Sequence, residues 1–230
     1  MKALPLCLAI VSLLATASAR ADEATLARGG LLYDNWSKVV SKKPPAKPNP
    51  AYPKTGKYFG KDGADYRCKE CHGWDYRGKD GAYASGKHAT GIAGIRAAAK
   101  RPEAKIVKVL KDSTHGYGDL LSDADLAALA AFVSKGQVDM DRVIDRKTKK
   151  ARGKAARGKP VFETICAKCH GVDGKGEPKM DALGPLARGN PWETLHKILN
   201  GQPDSEMPAL RALDRQVALD VLTYAQTLPD

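Results

Sequence analysis

Cys68-Lys69-Glu70-Cys71-His72 and Cys166-Ala167-Lys168-Cys169-His170 are two copies of one pentapeptide, Cys-x-x-Cys-His, and they decide how this chain folds. The spacing is typical of the attachment site of a c-type haem. Both thiols can add to the vinyl groups of the porphyrin, and the adjacent His can bind the iron on its proximal side. Two copies therefore predict two covalent haems and favour an electron-carrying role.

A Cys-x-x-Cys pair can also belong to a zinc site or to a redox dithiol. A zinc site would need both pairs to converge on one ion, and it would not need a His directly after each pair. A redox dithiol would lie between a strand and a helix, whereas no strand-rich pattern surrounds either copy. Haem attachment accounts for both Cys residues and the His of each motif and is the favoured interpretation.

The first 21 residues predict a secretion signal that is removed from the mature protein. Lys2 precedes an apolar run from Leu4 to Ala15, and small residues at positions 17–21 form candidate cleavage sites. The run is short for a membrane span, although a retained N-terminal anchor is the alternative. Cys7 lies inside the run and is assigned to the discarded signal. Export to the periplasm is expected, which suits a haem that is attached outside the cytoplasm.

The chain is basic, with a formal net charge of +12 over 230 residues. Loss of Lys2 with the signal would leave +11, loss of Arg20 as well would leave +10, and four haem propionates would lower the charge further. A basic surface favours acidic partner proteins or, at most, peripheral contact with anionic lipid headgroups. A basic surface kept only for solubility is the plainer alternative, and nucleic acid is a poor fit for an exported haem protein.

The order of features in the second half of the chain repeats that of the first half. The haem motifs are offset by 98 residues, the last amphipathic helices by 92 and the opening helices by 129. These offsets predict an all-α protein of two domains, residues 22–138 and 156–230, joined by a basic linker at 139–155. The first domain carries 31 extra residues before Cys68.

The extra residues form a Pro- and Lys-rich insertion at 37–66, for which an extended path is expected. The insertion could wrap a haem edge, form a docking surface or be an irregular loop without a role. The linker is interpreted as a solvated connection, with a partner-docking patch as the alternative.

The motifs resemble those of class I cytochromes c, and the whole mature chain resembles a dihaem member of that family. The resemblance rests on both haem motifs and on residues 156–162, 184–186 and 207–209. It implies that the first and last helices of each domain cross near the haem, with Gly29 against Phe132 and Gly158 against Tyr224. It also implies that the Pro185 carbonyl orients His170, with Ile92 at the corresponding place in the first domain.

The family position of the sixth iron ligand is occupied by Met207 in the second domain, with a buried core Met as the alternative. The first domain has no Met between His72 and the end of its last helix. Alignment of the final helices places His115 opposite Met207, because each lies six residues before an equivalent Leu. We therefore predict His72 and His115 as axial ligands of the first haem, with His88 as the rival. His196 is expected at the surface or against a propionate.

These ligands predict an electron carrier rather than an enzyme. Two strong ligands on each iron leave no position for a substrate, and Met ligation raises the potential of the second haem above that of the first. The expected partners are a donor dehydrogenase or reductase and an acceptor cytochrome or oxidase. A peroxidase-like or sulfur-compound oxidoreductase, an electron-transfer subunit of such an enzyme, and a haem sensor are the alternatives.

Overall fold

A computed structural model describes the backbone of residues 6–230 and the side chains from residue 22 onward. The predicted signal segment, residues 1–21, lies outside the residues whose side chains are described, so it stays a prediction. Among the described residues, no helix combines the length and the apolar character needed to cross a bilayer.

The described residues are helical and form no strand, in agreement with the predicted all-α class. Short 3₁₀ turns occupy Ala64–Tyr66, Arg96–Ala98 and Tyr117–Asp119, and π-helical turns occupy Phe132–Gly136 and Phe162–Cys166. The α-helices are α1 (Leu6–Val39), α2 (Cys68–His72), α3 (Glu103–Leu110), α4 (Asp123–Ala131), α5 (Met140–Val143), α6 (Ala155–Val161), α7 (Ala167–His170), α8 (Leu183–Gly189), α9 (Pro191–Asn200) and α10 (Arg215–Ala225).

Helix α1 crosses α4 at a point where only a glycine fits. A Cβ atom on Gly29 would lie 2.1 Å from the carbonyl oxygen of Ala128 and 2.6 Å from the Cβ of Phe132. One turn further along α1, the ring of Tyr33 lies 5.5 Å from that of Phe132, between ring centroids. The expected close approach of Gly29 to Phe132 is therefore present.

Helix α6 crosses α10 in the same way. A Cβ atom on Gly158 would lie 2.0 Å from the carbonyl oxygen of Asp220. The backbone that Gly158 meets thus belongs to Asp220 rather than to the expected Tyr224, whose ring instead lies 5.3 Å from that of Phe162. Gly158 and Phe162 follow Gly29 and Tyr33 by 129 residues. Asp220 and Tyr224 follow Ala128 and Phe132 by 92 residues. The same set of contacts therefore occurs twice, at the offsets read from the sequence.

We expect Gly29→Ala to lower the free energy of unfolding by about 1–3 kcal/mol, because the added methyl group forces α1 away from the backbone of α4. Guanidinium denaturation followed by circular dichroism measures the change. Gly189→Ala is the matched control, because no atom lies within 4 Å of a Cβ built on Gly189. Equal losses in the two variants would contradict the role assigned to this crossing.

The two halves share a buried interface between α1 and α9. Asp34 of α1 lies 2.6 Å from Arg67 and 2.7 Å from Lys197 of α9, although its side chain is only 1% exposed. Arg211 donates a hydrogen bond of 3.0 Å to the carbonyl oxygen of Gly136 in the other half. Charged groups are costly to bury unless they are paired, so these contacts fix how the halves sit together.

The predicted linker, residues 139–155, packs more closely than its basic composition indicates. Met140 and Ile144 are buried in the core. Arg146 lies 2.7 Å from the fully buried carboxylate of Asp75. Several of its lysines and arginines remain exposed, as expected for a charged connection, but the segment is anchored at both ends.

Candidate haem-binding sites

The first Cys-x-x-Cys-His motif forms the short helix α2, which holds both thiols partly buried beside the core. Burial raises the pKa of Cys68 and of Cys71 to about 12. Both sulfurs are therefore neutral thiols at physiological pH, and both are free rather than joined in a disulfide. Two adjacent free thiols on one helix, next to a His, suit covalent attachment of a porphyrin.

The imidazole rings of His72 and His115 lie close to one another with nearly parallel planes. Their centroids are 6.4 Å apart and their planes are 20° from parallel. His72 Nδ1 donates a hydrogen bond of 2.7 Å to the carbonyl oxygen of Ala93. His115 Nδ1 makes a hydrogen bond of 3.1 Å with Asp112 Oδ1. Each ring therefore keeps its Nε2 available as a ligand.

The spacing of this histidine pair fits one iron between two imidazoles. Two metal–nitrogen bonds of about 2 Å, with roughly 1 Å from each nitrogen to its ring centre, add to about 6 Å. Burial lowers the pKa of His72 despite the hydrogen bond to Ala93, so the ring is neutral, as metal ligation requires. Among the described residues, no group of three or more His, Cys, Asp or Glu side chains could hold a bare metal ion.

The carbonyl group that orients His72 lies one residue later than expected. The sequence indicated Ile92, but the Ile92 carbonyl accepts a hydrogen bond of 2.8 Å from Lys79 N. This bond forms where Gly78 and Ala93 pair in an isolated antiparallel bridge. The Ala93 carbonyl oxygen therefore accepts the hydrogen bond from His72. A backbone carbonyl orients the imidazole, as expected, but it belongs to Ala93 rather than to Ile92.

His115 lies in a loop that one glycine conformation and two hydrogen bonds hold in place. Gly116 adopts a φ of 67°, which favours glycine. Tyr117 then donates its hydroxyl hydrogen bond to the carbonyl oxygen of Tyr66, and Lys42 donates one of 2.7 Å to the carbonyl oxygen of Asp119. The insertion at 37–66 thus anchors the loop that carries the predicted distal ligand.

The insertion is itself partly buried. Asp65 Oδ2 accepts hydrogen bonds of 2.9 Å from Asn49 N and 3.0 Å from Gly60 N, which close the segment on itself. The carbonyl oxygen of Tyr66 accepts from Trp36 Nε1 at 3.1 Å as well as from Tyr117. The segment therefore packs against α1 and the His115 loop.

The second motif is more open than the first. Cys166 is partly buried and Cys169 is exposed, and burial raises the pKa of Cys166 to about 11. Gly176 N donates a hydrogen bond of 2.7 Å to the carbonyl oxygen of His170. Gly78 N donates in the same way to His72 at 2.8 Å, 98 residues earlier. The turn that follows the haem motif therefore recurs in both halves.

The predicted hydrogen bond from His170 to the Pro185 carbonyl is wrong. His170 Nδ1 is buried and has no hydrogen-bond partner among the described residues. Pro185 lies in the first turn of α8, inside a helix rather than in a loop facing the motif. Burial lowers the pKa of His170, so the imidazole is neutral and can serve as a ligand.

Met207 lies in the loop between α9 and α10, and its partly buried side chain packs against the core. Leu210 N donates a hydrogen bond of 2.9 Å to the carbonyl oxygen of Ile198, and Met207 N donates one of 3.3 Å to Ser205 Oγ. These bonds fold the Met207 loop back along α9.

The two other histidines lie away from the pair of His72 and His115. His88 Nδ1 lies 3.6 Å from Glu70 Oε2, and its ring lies 5.0 Å from that of Tyr83. His196 is fully buried, which corrects its expected place at the surface. Its Nδ1 accepts a hydrogen bond of 2.8 Å from the Tyr76 hydroxyl, and its Nε2 donates one of 3.0 Å to the carbonyl oxygen of Gly30. Burial lowers the pKa of His196 to about 3.

Two comparisons relate the chain to known proteins. Residues 153–224 match the family model described as cytochrome C oxidase, cbb3-type, subunit III. A curated relative, the cytochrome c-553-like protein of Synechocystis sp. (strain ATCC 27184 / PCC 6803 / Kazusa), is 31% identical over 77 residues, which are 34% of this chain and 71% of the relative. The chain belongs to the cytochrome c family. For this cytochrome c, membership implies a covalent haem and suggests a role in electron transfer.

Proposed function

We propose that this cytochrome c is an exported dihaem protein that passes electrons between redox partners in the periplasm. Cys68, Cys71, His72 and His115 would hold the N-terminal haem. The C-terminal haem would be held by Cys166, Cys169, His170 and Met207. A bound haem would supply a one-electron iron couple, and the protein would supply its ligands, orientation and surroundings.

The close pair of His72 and His115 carries this proposal. Their separation of 6.4 Å fits two imidazoles on one iron, and both rings direct Nδ1 to protein acceptors. An iron with two protein ligands has no open position for a substrate, which favours a carrier over an enzyme. The repeated helix crossings support the proposed domains, residues 22–138 and 156–230.

The ligand types give the proposed transfer a direction. A methionine ligand raises the potential of a haem relative to an imidazole ligand. Electrons would therefore enter at the haem of the first domain and leave from that of the second. The buried ion pair of Asp34 with Lys197 joins the two halves, and because one chain would carry both haems, the transfer between them would be intramolecular.

Haem counting of exported protein tests the proposal. We expect two haems per chain in the wild type, one in the double variant Cys68→Ala with Cys71→Ala, and one in Cys166→Ala with Cys169→Ala. The pyridine haemochrome assay, set against protein concentration, measures the ratio. One haem in the wild type, or a single wave in its redox titration, would contradict two unlike haems.

The basic charge of +12 favours acidic surfaces on the donor or the acceptor. Cell fractionation tests the periplasmic location, and protein that keeps residues 1–21 in the cytoplasm would contradict export. A role as an electron-transfer subunit is the second candidate, because the matching family model describes a subunit of an oxidase. Co-purification with a larger redox enzyme at native expression would favour the subunit over a free carrier.

A further inference from the structure

We propose that the carboxylate of Asp112 is the positioning residue of His115, so that its negative charge lowers the potential of the first haem and holds the ligand on the iron. The inference rests on the proposed ligation of that haem by His72 and His115. It assigns a role to an exposed loop residue that lies outside the haem motif.

One oxygen of Asp112 organises the whole ligand loop. Asp112 Oδ1 accepts hydrogen bonds of 2.9 Å from Thr114 N and 2.9 Å from His115 N. The same oxygen lies 3.1 Å from His115 Nδ1. The backbone contacts fix the position of the His115 main chain. The ring contact fixes the tautomer, because it places the proton on Nδ1 and leaves Nε2 free for the iron.

The two axial histidines of the first haem therefore have unlike partners. His72 donates to Ala93, a neutral carbonyl oxygen, at 2.7 Å, whereas His115 faces a carboxylate. Asp112 accepts N–H hydrogen bonds and is partly exposed to water, and a carboxylic acid in such surroundings is ionised at physiological pH. A carboxylate partner makes imidazole a stronger donor to a metal, and stronger donation favours the oxidised iron and a lower potential.

The lysines of the loop and of the insertion contact other groups rather than Asp112. Lys111 pairs with Asp123 at 2.7 Å, and Lys42 donates to the carbonyl oxygen of Asp119. The Asp112 side chain is 42% exposed, so water screens part of its field. The ring contact, rather than the general charge of the loop, is what sets Asp112 apart.

The test compares Asp112→Asn with Asp119→Asn in the full dihaem protein. Asparagine keeps an acceptor oxygen for all three N–H groups but removes the charge. Asp119 lies on the same loop and is exposed, so Asp119→Asn removes one charge without touching His115. Redox titration measures the potential of each haem, and near-infrared magnetic circular dichroism reports whether two nitrogens bind the first iron.

We expect Asp112→Asn to raise the lower potential more than Asp119→Asn does, with the higher potential unchanged. We also expect carbon monoxide to compete with His115 about 10- to 100-fold more effectively in Asp112→Asn, the range typical when the hydrogen-bond partner of a metal ligand is altered. Asp112→Ala, which also loses the loop contacts, should weaken the ligand at least as much.

Equal shifts in the two asparagine variants, or no shift in Asp112→Asn, would overturn the inference. Loss of the two-nitrogen signal in Asp112→Asn alone would support it, since the acceptor oxygen is retained. A wild-type spectrum without that signal would refute the proposed ligation itself, and this outcome is visible before any variant is made.

Discussion

Asp34→Ala is expected to lower the free energy of unfolding by about 3–5 kcal/mol, because it leaves two cations without their partner at a buried interface. Asp34 is 1% exposed and lies 2.6 Å from Arg67 and 2.7 Å from Lys197. Arg67 also donates to the Asp34 carbonyl oxygen at 2.8 Å, so its side chain cannot easily turn to solvent. Chemical denaturation of the holoprotein measures the loss.

The effect of Asp34 has a defined dependence on pH. Burial by itself raises the pKa of this carboxyl group, but the charges of Lys197 and Arg67 outweigh burial and hold the pKa below its ordinary value of 3.8. The folded state therefore binds the proton less readily than the unfolded chain does. The stability that Asp34 contributes is complete above about pH 3.8 and is lost as the pH falls through the lower, folded value.

Two controls separate this buried pair from ordinary surface charge. Asp204→Asn removes an exposed carboxylate that lies 4.0 Å from Lys38, and we expect a change within about 0.5 kcal/mol. Asp34→Asn keeps the shape of Asp34, and its stability should approach that of the wild type in acid. A deficit that stays constant down to acid pH would show that packing, not charge, carries the effect.

The sequence was sufficient where the signal is local or repeated. The apolar periodicity and the repeated order of features predicted the helical class, and the resemblance to class I cytochromes c implied the α1–α4 and α6–α10 crossings. Each crossing depends on one helix meeting another at a glycine, and the sequence carries that glycine in both halves, at Gly29 and Gly158.

The contacts between the halves left no comparable signal. His196 was expected at the surface or against a propionate. It is buried because Tyr76 and Gly30, 120 and 166 residues away in sequence, supply partners for both ring nitrogens. Such hydrogen bonds form only when the two halves pack together, so local sequence periodicity does not predict them.

The role of Asp112 was also not predicted from the sequence, although a local sequence signal for it exists. Asp, Asn, Ser and Thr side chains often accept hydrogen bonds from backbone N–H groups two or three residues later. Asp112-Ser113-Thr114-His115 has this form. Reading it as a turn that presents His115 would have identified the positioning residue before the structure did.

His115→Ala is expected to have the largest effect on the chemistry of the first haem. His115 is the histidine whose ring lies beside that of His72 among the described residues, because His88 lies beside Glu70 and Tyr83 and His196 binds Tyr76 and Gly30. Removal of the imidazole should therefore open one face of a single iron. We expect the reduced variant to bind one carbon monoxide per chain, whereas the reduced wild type binds little.

His88→Ala is the matched control, because it removes the rival histidine from the same domain. Its ring packs against Tyr58 and Tyr83, at centroid distances of 5.6 Å and 5.0 Å, so the loss should affect packing and leave the iron closed. Carbon monoxide difference spectra of the two reduced variants decide between them. Binding in His88→Ala but not in His115→Ala would transfer the ligand role to His88. Binding in the wild type itself would show a gated iron, and the proposal of a closed electron carrier would give way to an enzyme.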